Sequence, residues 1–161
     1  MSFLLTVQVG TAERPAAMPD DAQLQQALDA TISAVSASHA VPGQPREVAL
    51  RVVDADEIQS LNATWRGKDR PTNVLAFPVD PDLALPAQGL APAGDLVICA
   101  EVVEREAQEQ GKSIADHWAH LLMHGALHLM NFDHIGEADA AEMEEIECRA
   151  LALLGIANPY R

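Results

Sequence analysis

The sequence predicts one α+β domain over residues 1–161, in which about five helices pack on a small mixed sheet of four strands. Hydrophobic residues make up 48% of the 161 residues, and a chain of this length and composition can bury a sizeable core. The hydrophobic patterns follow the order β-α-β-α-β-β-α-α-α along the chain. The helix predicted from Ser113 to about Met130 is apolar on most sides, so we expect it at the centre of the fold.

The first half of the chain is expected to alternate strands and helices. Alternation and helical spacing predict a strand, a helix and a second strand at residues 4–9, 21–38 and 47–53. The apolar stripe of this helix consists of Leu24, Leu28, Ile32 and Val35. Asp54 is expected to cap a short helix that ends near Trp65, with Glu57 at the reciprocal position of a capping box.

The second half is expected to supply two more strands and three helices. The strands are predicted at residues 73–79 and 94–99, with a long irregular loop over 80–93 between them. Helices are predicted at 101–110, 113–130 and 137–154. In the last helix, the residues expected to pack inward are Met143, Ile146, Ala150 and Leu153. Its carboxylates are expected to face solvent: Glu137, Asp139, Glu142, Glu144, Glu145 and Glu147.

The charge distribution restricts the possible partners. A formal net charge of −14 argues against broad, non-specific nucleic-acid binding, because Lys and Arg make the contacts to phosphate. Three of the ten basic residues lie in one predicted turn, at Arg66, Lys68 and Arg70, so a phosphate site would be confined to that turn. Without a functional partner, such exposed charges are usually just solvated.

The chain also lacks recognisable targeting segments. No apolar run approaches the ~20 residues that cross a bilayer, and the N-terminal residues lack the basic region of an export signal. We therefore expect a cytoplasmic protein with no membrane partner, in which Cys99 and Cys148 are reduced thiols.

Three of the six histidines fall within the segment HGALHLMNFDH, with the spacing H-x3-H-x5-H. His124 and His128 lie one helical turn apart and share a face. Asn131 can take the left-handed conformation that ends a helix, and the returning chain could bring His134 over the same point. Three imidazoles with an open fourth position hold catalytic zinc, so we predict one Zn²⁺ per chain on a zincin-like helix. Metzincin proteases share this spacing, but their general base Glu is replaced here by Gly125.

Other residues near these motifs are weaker candidates. Asp133 could orient an imidazole or relay a proton, and His120 could be an indirect partner of the metal. Trp65, Phe77 and Phe132 could stack on bases, although core packing is the more common role of aromatic residues.

The motifs LNATWRGKDRPTNVLAFP, GDLVIC and HWAHLLMHGALHLMNFDH resemble those of the YbeY family, bacterial metal-dependent endoribonucleases that mature ribosomal RNA. The resemblance extends from about Val48 to Tyr160, and the family usually has Gly and Tyr at the positions of Asn131 and Phe132. It implies that the zinc ligands are His124, His128 and His134. It also implies that Arg66 is the family's functionally important arginine.

The same resemblance implies single-stranded RNA as substrate, with roles in 3′-end maturation of 16S ribosomal RNA and in ribosome quality control. Small-subunit ribosomal proteins are candidate partners, and no DNA partner is expected. In the expected mechanism, a zinc-activated water hydrolyses the phosphodiester, Arg66 stabilises the phosphoryl charge, and Lys68 and Arg70 hold flanking phosphates. No general base is identified. Two alternatives stay open: a non-catalytic ribosome-assembly factor with a structural metal, and a different three-His metallohydrolase, of which a peptidase is disfavoured by Gly125.

Overall fold

The structure is a computed structural model that describes residues 2–41, 43–80, 89–133 and 135–160. Within these residues the helices and strands follow one another in the predicted order. The strands are β1 (Phe3–Val9), β2 (Arg46–Val53), β3 (Val74–Pro78) and β4 (Ala91–Cys99). The helices are α1 (Asp21–Ser36), α2 (Ala55–Arg66), α3 (Ala100–Gln110), α4 (Ile114–Leu129) and α5 (Glu137–Leu153). The predicted fold class is therefore confirmed.

The four strands form one mixed sheet in the order β1-β2-β4-β3. β2 runs parallel to β1 and to β4, whereas β3 lies antiparallel to β4 and forms an edge. The crossovers between the parallel strands run through helices, as parallel pairing requires. The turn that precedes β3 carries the basic residues, so the fold places them at this edge of the sheet.

Each face of the sheet is covered by helices. The larger hydrophobic cluster joins one face to α1, α4 and α5, and includes Leu50, Leu96 and Trp118. A smaller cluster joins the other face to α2 and α3 through Ile58 and Val97. Helix α4 buries ten of its 16 residues and contacts α1, α3, α5, β3 and β4, so the prediction that this helix is central is correct. Among the described helices, none is long and apolar enough to cross a membrane.

One prediction about the start of α2 needs correction. Asp54 caps α2 as expected, because its side chain accepts a hydrogen bond from the Glu57 backbone. The Glu57 carboxylate does not return to the cap and instead binds the Arg51 guanidinium through two hydrogen bonds of 2.6 and 2.9 Å. The guanidinium offers the carboxylate two charge-assisted hydrogen bonds from a cation, whereas the cap would offer only one N–H.

The fourth strand begins at Ala91, three residues earlier than predicted. Ala91 and Pro92 pair with the start of β2, and the register shifts just after them. Proline is tolerated here because it lies at the start of the strand, next to that irregularity. Most of the predicted loop, residues 81–88, lies outside the described residues.

Candidate active site

Helix α4 brings two of the three predicted metal ligands together. The Nε2 atoms of His124 and His128 lie 3.1 Å apart, and the two rings are nearly perpendicular. A tetrahedral Zn²⁺ bound at about 2.0–2.1 Å places two nitrogen ligands about 3.3 Å from each other. The two imidazoles therefore have a spacing that fits shared coordination of one ion.

The predicted turn after α4 is confirmed. Asn131 has a φ of 68°, which is the left-handed conformation, and its backbone N–H donates to the His128 carbonyl. The Asp133 side chain then accepts a hydrogen bond from the Ile135 N–H at 2.9 Å, which stabilises the following turn. His134 lies outside the described residues, so its role as the third ligand stays a prediction.

The described residues hold only part of a metal site. Within the described ranges, which omit residue 134, no three His, Cys, Asp or Glu side chains are grouped closely enough to hold a metal ion. The histidine pair on α4 thus needs at least one further ligand to hold a metal ion. The sequence predicts that His134 is this ligand.

A buried carboxylate lies behind the two histidines. Glu147 on α5 has no exposed surface, and its Oε1 accepts a hydrogen bond from His124 Nδ1 at 2.5 Å. Its Oε2 accepts from His120 Nε2 at 3.2 Å and from the Tyr160 hydroxyl. An ionised carboxylate can only accept, so His124 carries its proton on Nδ1 and directs the Nε2 lone pair towards His128.

The hydrogen bonds around Glu147 decide its charge. Burial by itself would raise the pKa of this carboxyl, but the bonds from His120, His124 and Tyr160 outweigh burial and hold the pKa at about 2. Glu147 is therefore ionised at neutral pH. Burial and the contact with this carboxylate raise the pKa of the Tyr160 hydroxyl, which stays protonated and donates.

A cleft of about 850 Å³ joins the histidines to the basic turn. Arg66, Lys68 and Arg70 line it together with His124 and His128. The Nη2 of Arg66 donates to the carbonyl of Ala76 on β3 at 3.0 Å. Within the described part of the chain, this bond occupies one of the five N–H donors of the guanidinium and leaves the others for a ligand. The cleft can therefore present positive charge to an anion that reaches the two imidazoles.

Gly125 occupies the position of the protease base, and packing explains why it is glycine. A Cβ at this position would lie 2.8 Å from the Leu96 side chain of β4 and 3.4 Å from Val74. A larger residue at position 125 would therefore have to push aside the buried Leu96 side chain, on which α4 packs. Glycine allows this close contact, and the chain has no carboxylate at the position of the protease base.

The aromatic candidates take different positions. Phe132 packs partly against the core and lines the cleft. Trp65 is 65% exposed and meets Phe77 edge to face, so the expectation that it packs in the core is wrong. Trp65 extends from the last turn of α2 and stays largely exposed among the described residues.

A second polar pocket of about 360 Å³ lies beside the first, and His124 lines both. His117 is buried there and contacts the Glu106 carboxylate through Nε2 at 2.9 Å, and Asn73 donates to the same carboxylate. Burial lowers the pKa of His117, so its imidazole is neutral. This network fixes the start of α4 against α3 and β3.

Comparison with known proteins identifies the family of this chain. The family model described as Endoribonuclease YbeY matches residues 11–155. The chain belongs to the YbeY family. A relative from Colwellia psychrerythraea, named Endoribonuclease YbeY, is 44% identical over 160 residues, which cover 99% of this chain and 98% of the relative. Another from Halorhodospira halophila, with the same name, is 54% identical over 119 residues, or 74% of this chain and 77% of the relative.

The YbeY-family fold is also found among solved structures. The solution structure of TM1509 from Thermotoga maritima matches with a TM-score of 0.56. The match covers 94% of this chain and 92% of the TM1509 chain. At 22% identity, this likeness supports the fold alone.

Sequence reasoning missed two members of the site of this YbeY-family chain. Glu147 was expected to face solvent with the other carboxylates, and Tyr160, which lies beyond the last predicted helix, was not among the candidates. The signal for Glu147 was present, because it shares a helical face with Met143 and Leu151, both of which are buried. Leu153, which was predicted to pack inward, is 59% exposed, and Leu151 takes the inward position.

Proposed function

We propose that this chain is a zinc-dependent endoribonuclease that cleaves single-stranded RNA, acting in 3′-end maturation of 16S ribosomal RNA and in ribosome quality control. Membership of a family whose named members are endoribonucleases supports an enzyme that processes ribosomal RNA. The observation that carries the proposal is the shared cleft, in which three cationic side chains face two imidazoles at metal-ligand spacing.

The metal site is assigned to His124, His128 and His134. When bound, Zn²⁺ would supply a water of lowered pKa and a Lewis acid for a phosphoryl oxygen. The first two imidazoles fit this role by the distance between their Nε2 atoms. The Glu147 carboxylate fits it as well, because metal-bound histidines commonly donate their other ring N–H to a carboxylate.

The basic turn is assigned to the substrate. Arg66 is anchored by its bond to the Ala76 carbonyl, and a guanidinium can grip two oxygens of one phosphodiester. This side chain would stabilise the charge that gathers on the phosphoryl oxygens as the bond breaks. Lys68 and Arg70 line the same cleft and would hold phosphates on either side of the cleaved bond.

Strand flexibility favours single-stranded RNA. A single strand can bend its backbone to bring one phosphodiester into the cleft, whereas a duplex resists bending on this scale. The net charge of −14 bears on where the strand binds, because it disfavours nucleic acid on most of the surface and leaves the basic turn as the favoured place.

The rival hypotheses predict different metal sites. A structural zinc in an assembly factor would be closed by a fourth protein ligand. A peptidase would need a base beside the first histidine, where this chain has Gly125 packed against the Leu96 side chain.

The direct test compares metal content and cleavage in matched variants. Wild-type protein is expected to bind one Zn²⁺ and to cut single-stranded RNA in preference to duplex RNA and to peptides. His128→Ala is expected to lose both metal and cleavage. Arg105→Ala is the control, because Arg105 is exposed on α3 and does not line the cleft. Cleavage by His128→Ala at the wild-type rate would show that the assigned centre is wrong.

A further inference from the structure

We infer that Glu147 is a positioning residue of the metal centre, which holds the His124 ring in its ligand orientation while Tyr160 and His120 hold the carboxylate. The inference rests on the proposed function, because it concerns the same metal site. It adds a residue from α5 and one from the C-terminal segment to a centre otherwise built on α4 and the turn after it.

The imidazole ring of His124 is contacted on both of its nitrogen sides. One side of this imidazole, Nδ1, donates to Glu147 Oε1 at 2.5 Å. The opposite side, Nε2, lies 3.1 Å from Nε2 of His128. A ring gripped at Nδ1 cannot rotate without breaking that bond, so the carboxylate fixes both the direction of Nε2 and the tautomer that leaves its lone pair available.

Glu147 is itself held in place by two further hydrogen-bond donors. A buried carboxylate without partners would be too costly to keep ionised, and this one has no exposed surface. His120, one turn before His124 on α4, supplies a second N–H at 3.2 Å, and Tyr160 supplies its hydroxyl. The ring of Tyr160 also meets His120 edge to face, with centroids 5.6 Å apart. Donors from two parts of the chain therefore converge on one carboxylate and fix its position.

Glu147 differs in burial from the neighbouring carboxylates of α5. Glu144 and Glu145 are exposed, and Glu145 pairs with Arg149 one turn further along the helix. Only the helical face of Glu147 points to α4, where Met143, Ile146 and Ala150 are buried around it. A hydrophobic residue would fill this position if packing were its sole role, whereas an ionised group placed there serves the histidines that it contacts.

The test measures zinc affinity by competition with a chromophoric chelator. Glu147→Gln keeps the shape of the side chain and removes its charge, and we expect its zinc affinity to fall about 10- to 100-fold. Glu144→Gln removes an exposed charge from the same helix and is expected to match the wild type. Tyr160→Phe keeps the ring and removes the hydroxyl, and its affinity is expected to fall by a smaller factor, roughly 10-fold or less.

A second readout does not depend on the metal. In metal-free protein, ¹⁵N NMR of the imidazoles is expected to show His124 protonated on Nδ1 in the wild type and as a mixture of tautomers in Glu147→Gln. A role in packing alone would leave this tautomer ratio unchanged. If Glu147→Gln does not fold, Tyr160→Phe tests the same contact from the other side of the carboxylate.

The outcomes separate this inference from the proposed function. If the wild type binds zinc and both Glu147→Gln and Tyr160→Phe bind it equally tightly, the positioning role is refuted and the proposed enzyme stands. If the wild type binds no zinc, the proposed function and this inference both fail. Loss of affinity in Glu147→Gln together with a mixed tautomer would support the positioning role.

Discussion

The basic turn makes a quantitative prediction about salt. Arg66, Lys68 and Arg70 line the cleft beside the histidines, so a bound strand is expected to contact up to three cations there. Each contact between a single strand and a cation contributes about −0.7 to the slope of log affinity against log salt, which gives a slope of about −2.1 for three contacts. Raising KCl from about 50 to about 200 mM should then weaken binding about 18-fold.

Removing one cation changes the slope by a known amount. Lys68→Ala or Arg70→Ala should reduce the slope to about −1.4, so that the same change in salt weakens binding only about 7-fold. The control is Arg105→Ala, because Arg105 is exposed on α3 and does not line the cleft. It is expected to leave the slope unchanged.

The assay is fluorescence anisotropy of a labelled single-stranded RNA, titrated with each variant at several KCl concentrations. All proteins carry His128→Ala, so that the strand is expected to stay intact during the titration. A slope that is the same for Lys68→Ala, Arg70→Ala and Arg105→Ala would refute the assignment of the basic turn to the phosphates.

Three further predictions concern the site and its scaffold. Arg66→Glu should keep zinc and the melting temperature but abolish RNA cleavage, whereas cleavage at the wild-type rate would show that Arg66 has no role in the reaction. Gly94→Ala should cost about 3 kcal/mol in urea denaturation, because Gly94 has a φ of 144° and its Cβ would lie 2.5 Å from the Phe77 carbonyl oxygen. Gly43→Ala, which meets nothing within 4 Å, should change stability by no more than about 0.5 kcal/mol, and equal losses in the two variants would contradict the packing argument. Burial lowers the pKa of His117 below 6.5. As pH falls through 6.5, this imidazole binds a proton in the unfolded chain but not in the folded protein. The free energy of unfolding is therefore highest above that pH and declines below it. The urea midpoint of the wild type should therefore drop more than that of His117→Gln between about pH 7.5 and about pH 5.5, and equal drops would show that His117 does not cause the dependence.

The sequence was most informative where local rules decide the structure. The stripe of Leu24, Leu28, Ile32 and Val35 on α1 is buried as predicted, because helical spacing alone determines which residues share a face. The turn at Asn131 was equally accessible, since few residue types adopt a positive φ without strain.

Tertiary contacts decided what the sequence could not indicate. Glu147 looks like one of six similar carboxylates until α5 packs on α4 and brings it to His124. Glu57 satisfied a capping rule in sequence but pairs instead with Arg51 on β2. Trp65 followed the general preference of aromatic residues for the core, yet the end of α2 leaves it exposed. In each case the outcome depends on which elements pack beside the residue, and the residue's own segment does not indicate that.

The central claim is that three imidazoles hold one zinc ion that no other protein side chain closes. X-ray absorption spectroscopy at the zinc edge of the loaded protein tests it most directly, because imidazole rings give a distinct scattering pattern that can be counted. We predict three imidazole ligands in the wild type, two in His134→Ala, and no fourth ligand from the protein. A fourth protein ligand, or a wild-type spectrum in His134→Ala, would contradict the account.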